Sequence, residues 1–189
     1  AIYEITRNLT GFVRKDGDES FQAKSVSDLI KSSIAIFRYP LRREQISLTT
    51  DIPLDLPLIR ARGRHIRQVL LNLVANARAS VNTYHGSQPS PARIKAIHIS
   101  AQHCADDPEL VRISVTDFGE GVPEEHRDLI FDAFFTTRKD GTGLGLSISN
   151  NIVREHGGTL GVRSGQDGST TFNMDLPIWS PRTQLGART

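Results

Sequence analysis

Apolar residues recur at intervals of three and four in several parts of the chain, the spacing that places side chains on one face of a helix. The longest such stretch predicts a helix over residues 64–82. A second helix is predicted over residues 28–39, with Ser27 as its N-cap and Pro40 as the residue that ends it. A third helix is predicted over about residues 143–156.

Alternating apolar and polar residues predict β-strands in the remaining parts of the chain. Such strands are predicted over residues 45–50, around residue 59, and over residues 97–101, 111–115, 160–162 and 171–176. Residues 83–92 include Gly, Ser and Pro and predict a loop. Because most strands follow one another as hairpins with helices interleaved, we expect an α/β (α+β) two-layer sandwich, in which helices cover one face of a mixed, mainly antiparallel sheet.

The composition narrows the class of protein. The chain has 189 residues, enough for one domain with a substantial core. Its 23 Lys and Arg residues against 21 Asp and Glu give a net charge of +2, which argues against nucleic acid as a partner. No apolar run approaches the roughly 18 residues of a membrane-spanning helix. Cys104 is the one cysteine, which excludes an internal disulfide and favours a reducing compartment.

The start of the chain predicts that it is a part of a longer protein. The chain starts at Ala1 and its one methionine is Met174, so we expect a fragment or a processed chain. Residues 1–13 carry an apolar stripe from the second residue onward, which predicts the end of a longer helix that packs on a partner or a second copy. Packing on its own domain is the alternative. Residues after Trp179 are polar and are expected to form a loose tail.

The long predicted helix carries a stripe of amide side chains. Gln68, Asn72 and Asn76 are spaced by four and therefore lie beside its apolar face. Amides at the margin of a core can face a cleft, and amide oxygens are suitable ligands for Mg²⁺, which also takes phosphate oxygens. The alternative is that both asparagines are ordinary surface residues or cap a neighbouring loop.

Two glycine-containing segments predict ligand-binding turns. Residues 117–121 (Asp-Phe-Gly-Glu-Gly) follow a strand, and the carboxylate there could accept a hydrogen bond from an exocyclic amine. Asp and Gly are also common in ordinary turns. Residues 141–146 (Gly-Thr-Gly-Leu-Gly-Leu) open a helix, where unpaired N–H groups and the helix dipole favour phosphate. A flexible hinge and cap is the alternative for this second segment.

An aromatic and basic segment precedes the second glycine segment. Residues 131–138 read Phe-Asp-Ala-Phe-Phe-Thr-Thr-Arg, and Lys139 follows. Three phenylalanines among five residues are expected to pin one edge of a loop to the core. The basic pair Arg138-Lys139 would then lie on a short lid over phosphate groups. The alternative is the end of a core helix followed by a solvated pair of charges.

Taken in order, four segments resemble the N, first glycine, F and second glycine boxes of sensor histidine kinases. They read NLVANA at 72–77, DFGEGVP at 117–123, FDAFFTTR at 131–138 and GTGLGLSISNNIVREHGG at 141–158. These kinases belong to a wider ATPase group that contains gyrase, Hsp90 and MutL. The resemblance covers about residues 21–178 and implies a Bergerat-type fold, an α/β sandwich that holds ATP between its helices under a flexible lid.

The resemblance also implies roles for individual residues. Asn76 would be the Mg²⁺ ligand, and Asn72 would help to orient the phosphates or the metal. Asp117 would bind the adenine amino group, supported by Thr170, often through water. The base pocket and the triphosphate site would include Gly119, Gly121, Thr136, Thr137, Gly141, Thr142, Gly143, Leu144, Gly145 and Leu146.

One departure from the family pattern concerns the cation that reaches the γ-phosphate. Many relatives carry a basic residue three positions after the magnesium asparagine, where this chain has Ala79. Arg78 lies ~160° round the helix from Asn76 and would point elsewhere. Arg138 or Lys139 of the lid is therefore expected to reach the γ-phosphate.

A second departure concerns the reaction. Relatives that cleave ATP with water carry a glutamate at the position of Asn72, and an amide cannot accept a proton at pH 7. We therefore expect a poor ATPase that presents the γ-phosphate of ATP to a histidine on a separate dimerisation domain. None of the six histidines here lies in the sequence setting of the family's phosphoacceptor, and His65 is expected on the surface. A nucleotide-gated regulatory module without catalysis and a dimerising ATP clamp are the alternatives.

The resemblance also implies a domain organisation and a set of partners. Residues 1–20 would be the end of a dimerisation-hairpin helix and a linker, residues 21–178 the ATP-binding catalytic domain, and residues 179–189 a polar tail. The expected ligands are ATP and Mg²⁺. The expected partners are an upstream dimerisation and phosphoacceptor domain and a downstream response-regulator receiver domain, in a homodimeric full-length protein. We expect the chain in the cytoplasm, with a membrane anchor elsewhere in the full-length protein left open.

Overall fold

A computed structural model describes residues 19–87, 94–138 and 141–180, and the predictions for residues 1–18, 88–93 and 181–189 lie outside these ranges. The helices are α1 (Val26–Ile34), α2 (Arg38–Arg43), α3 (Gly63–Ser87) and α4 (Gly145–Glu155). The strands are β1 (Gln22–Lys24), β2 (Ser47–Asp51), β3 (Ile59–Ala61), β4 (Ala96–His103), β5 (Leu110–Asp117), β6 (Thr159–Ser164) and β7 (Thr170–Pro177). Short 3₁₀ turns lie at Ala35–Phe37, Glu124–His126 and Leu129–Phe131.

The main sheet has five strands in the order β2, β4, β5, β7, β6. β2 pairs with β4 in parallel, and the other three pairs are antiparallel. Alternate residues of the central strands form its apolar face, on which Ile97, Ile113 and Met174 are at most 1% exposed. The helices pack on that face and share one continuous core with it. The predicted two-layer sandwich with a mixed, mainly antiparallel sheet is therefore confirmed.

The central helix of the other layer is α3. Its apolar face is fully buried and consists of Ile66, Val69, Leu70, Leu73, Val74, Ala77 and Val81. Burying one such aliphatic side chain contributes about 1.5–3 kcal/mol, so this face fixes α3 on the sheet. α3 also contacts α1 and α4. Within the described ranges, none of the helices combines the length and the hydropathy that crossing a bilayer requires.

The boundaries of the first two helices differ from those predicted. Ser25, rather than Ser27, is the N-cap of α1, because its Oγ accepts a hydrogen bond from the N–H of Asp28 at 3.3 Å. Pro40 does not end the helical region. The 3₁₀ turn at Ala35–Phe37 lies between α1 and α2. Pro40 lies in the first turn of α2, where the missing N–H of proline removes no intrahelical hydrogen bond.

Two further boundaries are corrected. Residues 83–87, predicted as loop, continue α3 to its end at Ser87. The strand predicted over residues 45–50 is β2, which begins two residues later because Gln45 has a φ of 57° and turns the chain. A residue in the left-handed region cannot continue a strand.

A small second sheet lies where the start of the domain meets the end of α4. β1 and β3 pair antiparallel. The ring of Phe21, just before β1, lies 3.9 Å from the guanidinium of Arg60 and 4.6 Å from that of Arg62, measured to the ring centroid. The same ring packs edge-to-face on His156 at 5.0 Å, at the end of α4. The segment that leads into the domain is thereby attached to α4.

His156 is fully buried, and both of its ring nitrogens are used. Nδ1 lies 2.7 Å from the carbonyl oxygen of Ile152, and the N–H of Arg62 donates to Nε2 at 3.1 Å. A carbonyl only accepts, so the proton is on Nδ1 and the ring is neutral. Burial lowers the pKa of His156, and the nearby His65 and Arg62 lower it further. His65 is half-buried, with its Nδ1 unpartnered within the described part of the chain, so its predicted surface position is wrong.

We expect the neutral state of His156 to make stability depend on pH. Its pKa is lower in the folded chain than in the unfolded chain, so the unfolded chain takes up a proton first as the pH falls below about 6.5. The free energy of unfolding should therefore fall with decreasing pH in that range, by up to about 1.4 kcal/mol per pH unit. The hydrogen bond to Ile152 and the charge of Glu155 raise the pKa of His156 and so reduce this pH dependence.

Denaturant unfolding of the parent and of His156→Gln between pH 7.5 and 5 measures this contribution, since the variant should lose part of the pH dependence. His103→Gln removes an exposed histidine and is the matched control, which should keep it. Equal pH dependence in the parent and in His156→Gln would contradict the assignment.

Candidate functional site

Three polar residues of α3 define one side of the candidate site. Asn72, Asn76 and Ser80 follow one another at steps of four residues, which places them on one side of the helix, about 6 Å apart along its axis. Asn72 lies against the start of α4, and Ser80 lies against the turn after β5. Asn76 is half-buried and lies between these two contacts. Both glycine segments thus meet the same side of α3.

Asn72 connects α3 to α4. Its Nδ2 donates a hydrogen bond to Oγ of Ser149 at 3.0 Å. The backbone of Gly145 lies so close to the same amide that a Cβ at this position would contact Asn72 Oδ1. A side chain at the first residue of α4 would therefore displace the Asn72 amide from this position. Gln68, the first residue of the predicted amide stripe, is exposed.

The carboxylate of Asp117 lies at the end of β5 and is 2% exposed. The N–H of Gly119 donates to its Oδ1 at 3.0 Å. Burial raises the pKa of Asp117 to about 6, although this hydrogen bond and the nearby Ser80 hydroxyl favour the charged form. At pH 7 the group is therefore mostly ionised and able to accept a further hydrogen bond from a ligand.

Thr170 and Gly121 flank Asp117. Thr170 is the register partner of Asp117 on β7, and it is 2% exposed. Its Oγ1 has no hydrogen-bond partner among the residues that the structure describes. Gly121 has a φ of +84°, and a Cβ there would lie 3.9 Å from that hydroxyl. A buried hydroxyl without a partner costs about 1–3 kcal/mol, so we expect a ligand or water to hydrogen-bond it.

The second glycine segment leads into α4 in a tightly constrained turn. Gly143 has a φ of +67° and its carbonyl accepts a hydrogen bond from the N–H of Phe134 at 2.9 Å. A Cβ on Gly143 would lie 2.6 Å from the Cα of Phe134, so only glycine fits. Oγ1 of Thr142 accepts from the N–H of Leu144 at 3.4 Å, and Leu146 packs on the core. The start of α4 thus faces Asn72 with its first-turn N–H groups, which suit an anion.

In the lid segment, Thr136 contacts both Arg138 and Gly141. Oγ1 of Thr136 accepts a hydrogen bond from the N–H of Arg138 at 3.1 Å, and a Cβ on Gly141 would contact that same oxygen. Thr137 and Arg138 are exposed. Lys139, the other predicted lid cation, lies outside the described residues. The structure does not bring Arg138 into contact with Asn72, Asn76 or Asp117.

One part of the lid prediction is wrong. Phe134 is 74% exposed with a φ of 71°, so its ring does not pin the loop to the core. Its backbone is held by Gly143 instead. Phe131 and Phe135 are half-buried, and the ring of Phe135 packs edge-to-face on His126 at 5.3 Å.

Arg78 is engaged away from the candidate site, as its position on the helix predicts. Its guanidinium binds the carboxylate of Glu44 through two hydrogen bonds, of which the one from Nε is 2.7 Å long. Asn82 also donates to that carboxylate at 2.7 Å. These contacts lower the pKa of Glu44 to about 2, with the Arg78 hydrogen bond as the largest cause. Arg78 therefore ties α3 to the residue that follows α2.

The residues present fit a nucleotide-bound Mg²⁺ better than a metal held by the protein alone. Among the described residues, no group of three or more His, Cys, Asp or Glu side chains could hold a metal ion. Mg²⁺ usually keeps several waters and takes one or two protein oxygens together with phosphate oxygens. The half-buried amide of Asn76, one helical turn from Asn72 at the start of α4, suits that arrangement.

Ser80 is a residue of the site that was not predicted from the sequence. The hydroxyl of Ser80 accepts from the N–H of Glu120 at 3.1 Å and contacts Asp117, so it connects α3 to the first glycine segment. The sequence did contain a signal for this role, because Ser80 continues the series Gln68, Asn72 and Asn76 by one more step of four residues. Gly119, predicted to line a base pocket, packs directly on the backbone of Ser80.

The chain is similar in sequence to proteins of a known ATPase family. Residues 61–180 match the family described as histidine kinase-, DNA gyrase B- and HSP90-like ATPases. The match covers more than half of the chain, so the chain belongs to this family. It is also 35% identical over 159 residues to the sensor histidine kinase ZraS of Escherichia coli strain K12, a match that covers 84% of this chain and 31% of ZraS.

Solved structures give the same result. The catalytic domain of the histidine kinase ThkA is 30% identical and superposes with a TM-score of 0.68, covering 84% of this chain and 98% of that one. Full-length ShkA in complex with AMPPNP is 26% identical with a TM-score of 0.68, covering 85% of this chain and 32% of ShkA. The chain is thus an ATP-binding catalytic domain of the sensor histidine kinase type. It spans about a third of the length of a curated relative such as ZraS.

Proposed function

We propose that ATP binds between α3 and the turn after β5, with its triphosphate at the start of α4. The observation that carries this proposal is the arrangement along one side of α3. Ser80 meets the turn that follows the adenine-binding candidate Asp117, Asn72 meets the start of α4, and Asn76 lies between them. The structural similarity to ShkA, which is in complex with the ATP analogue AMPPNP, supports the same placement.

Each residue contributes by binding or orienting the nucleotide. The ionised carboxylate of Asp117 accepts a hydrogen bond from the exocyclic amine of adenine, and the unpartnered hydroxyl of Thr170 hydrogen-bonds the base or a bridging water. Gly119 and Gly121 shape the turn beside the base. The triphosphate binds to N–H groups of the segment from Gly141 to Leu146, with Thr136, Thr137 and Thr142 at the lid.

The metal site is proposed at Asn76. Mg²⁺, when bound, neutralises phosphate charge, and the amide oxygen of Asn76 supplies the protein ligand. Asn72 orients the phosphates while Ser149 holds its amide. Arg138 or Lys139 approaches the γ-phosphate when the lid closes.

We propose that the γ-phosphoryl group is transferred to a histidine of a separate dimerisation domain. The imidazole nitrogen attacks phosphorus, the bond from the γ-phosphorus to the bridging oxygen breaks, ADP leaves, and the imidazole proton is released. Asn72 cannot take a proton from water, so ATP hydrolysis should be slow. A turnover of about 1 s⁻¹ by the chain alone, the low end for ordinary enzymes, would contradict this role of Asn72.

Mixing the chain with ATP, Mg²⁺ and a separately made dimerisation domain tests the transfer. We expect acid-labile phosphate on the histidine of that domain, and none when this histidine is replaced by glutamine. Nucleotide binding without transfer would favour a regulatory module instead. Dimerisation of the chain on addition of ATP, measured by sedimentation, would favour an ATP clamp.

The organisation of the whole protein is also proposed. Residues 1–20 continue from a dimerisation hairpin, residues 21–178 form the catalytic domain, and residues 179–189 form a polar tail. The full-length protein is a homodimer that phosphorylates a downstream response-regulator receiver domain, and this domain works in the cytoplasm. The kinase names of the relatives support these proposals.

Replacing Asn76 with alanine should remove most of the Mg²⁺ dependence of ATP binding. The lost metal–oxygen contact is expected to cost about 1.5–3 kcal/mol, the range of hydrogen bonds to charged groups, in the presence of Mg²⁺ only. Calorimetric titration of ATP with Mg²⁺ and with EDTA measures the difference. Gln68→Ala removes an exposed amide from the same helix stripe and is the matched control. An unchanged metal dependence in Asn76→Ala would exclude this residue as the ligand.

A further inference from the structure

The amide of Asn72 contacts two residues of α4 that lie on the same side of that helix. Ser149 follows Gly145 by four residues, about one turn of helix. Nδ2 of Asn72 donates a hydrogen bond to Oγ of Ser149 at 3.0 Å. Its Oδ1, rather than Nδ2, is the atom closest to the position that a Cβ on Gly145 would occupy. The amide therefore directs its NH₂ group along α4 and its oxygen towards the first residue of the helix.

Two features of α4 favour this orientation of the amide. The hydroxyl of Ser149, which is 2% exposed, accepts from the NH₂ group, and an unpaired polar group in a buried contact costs free energy. The start of α4 carries the unpaired N–H groups and the positive end of the helix dipole, which attract an oxygen and disfavour a second donor. The nitrogen of Asn72 is thus bound at Ser149, and its oxygen lies at the start of the helix.

The end of the amide that faces the start of α4 decides what Asn72 can do for a nucleotide. Phosphate oxygens only accept hydrogen bonds, so an NH₂ group at this position would bind a phosphate directly. An amide oxygen repels a bare phosphate and suits Mg²⁺ or one of the waters that Mg²⁺ keeps. Asn76, the proposed metal ligand, lies one helical turn further along the same side of α3.

We propose that Ser149 is a positioning residue that holds the NH₂ group of Asn72, so that the amide oxygen faces the triphosphate and favours ATP that carries Mg²⁺ over metal-free ATP. This inference rests on the proposed function, which places the triphosphate and its metal at the start of α4. Ser149 touches neither the nucleotide nor the metal, and its effect reaches them through Asn72.

Two variants of the same shape test the role of the hydroxyl. Ser149→Thr keeps the hydroxyl, Ser149→Val replaces it with a methyl group, and both add one further methyl group to the contact. The measured quantity is the ratio of the ATP affinity with Mg²⁺ to the ATP affinity with EDTA, from calorimetric titration. This ratio should be about fivefold smaller in Ser149→Val than in Ser149→Thr, the effect of one neutral hydrogen bond. Ser149→Ala, which adds no atoms, should lower the ratio by a similar factor relative to the parent.

A double-mutant cycle separates an effect through Asn72 from the packing of α4 on α3. In the Asn72→Ala background, Ser149→Ala should leave the affinity ratio unchanged. NMR spectra of the nucleotide-free chain give a readout that does not depend on ATP. The NH₂ signals of Asn72, assigned by their loss in Asn72→Ala, should exchange with solvent more slowly than those of the exposed Gln68. Ser149→Ala should remove that protection.

An equal loss of affinity with Mg²⁺ and with EDTA in Ser149→Val and Ser149→Ala would show a merely structural role and overturn the inference. An effect of Ser149→Ala on the ratio that persists in the Asn72→Ala background would also overturn it, as would unchanged exchange of the Asn72 NH₂ group. Failure of the proposed function is visible in the parent alone. If the parent binds ATP no more tightly with Mg²⁺ than with EDTA, the proposed metal site is wrong, and this inference is wrong with it.

Discussion

Replacing Asp117 with asparagine is expected to stabilise the nucleotide-free domain while it weakens ATP binding. Burial raises the pKa of Asp117 from 3.8 to about 6, which means that the folded chain disfavours the ionised carboxylate. Each pKa unit corresponds to about 1.4 kcal/mol, so removing the charge should add at most about 3 kcal/mol to the free energy of unfolding at pH 7. The amide oxygen of asparagine can still accept from the Gly119 N–H.

The gain in stability should depend on pH. Because the folded-state pKa is raised, protonated Asp117 contributes stability that is fully present below about pH 3.8 and is lost as the pH rises through about 6. Asparagine carries no charge at any of these pH values and keeps this stability. The free energy of unfolding of the variant should therefore exceed that of the parent most clearly above pH 6. Denaturant unfolding at pH 5 and pH 7.5 measures this difference. Asp51→Asn, at an exposed position, is the control.

The loss in binding should appear in the same variant. Asparagine replaces a charged acceptor by a neutral amide that has one acceptor oxygen and one donor NH₂ group. This change should weaken the binding of ATP by about 1.5–3 kcal/mol. The increase in melting temperature that ATP produces in the parent should therefore be much smaller in Asp117→Asn. A variant that is less stable than the parent at pH 7.5 and binds ATP equally well would contradict both parts of the assignment.

Replacing Gly119 with alanine is expected to damage both the stability of the domain and its binding of ATP. The new Cβ would contact Oγ of Ser80 and lie 2.6 Å from the backbone nitrogen of Val81, and helix backbone cannot move aside as a flexible side chain can. Forcing an extra methyl group into a packed contact costs about 1–3 kcal/mol. The turn should move away from α3, which also disturbs the hydrogen bond from the Gly119 N–H to Asp117, so ATP binding should be lost along with stability.

Gly161→Ala is the matched control for this change. Gly161 lies in β6, and a Cβ there would meet nothing within 4 Å. Alanine should be tolerated or slightly stabilising at that position, because glycine in a strand costs about 0.5–1 kcal/mol relative to alanine. Thermal unfolding and ATP titration measure the stability and the ATP affinity of both variants. Similar behaviour of Gly119→Ala and Gly161→Ala would show that the turn is not packed on α3 as described.

The sheet and the long helix could be predicted from the sequence because burial imposes a regular pattern on them. β5 alternates strictly between buried and half-buried residues from Val111 to Asp117, and α3 repeats its apolar residues every three or four positions. The boundaries were less predictable. Ser25 and Ser27 are both suitable N-caps, and the choice depends on where the helix begins in the folded chain, in which Ser25 accepts from the N–H of Asp28.

The site was predicted in part. The four segments indicated which residues belong together, but contacts between residues far apart in sequence could not be derived from them. Ser80 is 37 or more positions away from the turn that it holds. Phe134 was expected in the core on hydrophobicity alone, whereas the close approach of Gly143 fixes its backbone and leaves the ring exposed. The hydrogen bond between Asn72 and Ser149 likewise depends on how α3 and α4 pack.

A crystal structure of the chain with Mg²⁺ and a non-hydrolysable ATP analogue tests the nucleotide site most directly. We predict the exocyclic amine of adenine within hydrogen-bond distance of the Asp117 carboxylate, the metal bound to the amide oxygen of Asn76, and the triphosphate along residues 141–146. A nucleotide bound elsewhere, with packed side chains between α3 and the turn after β5, would contradict the proposed site.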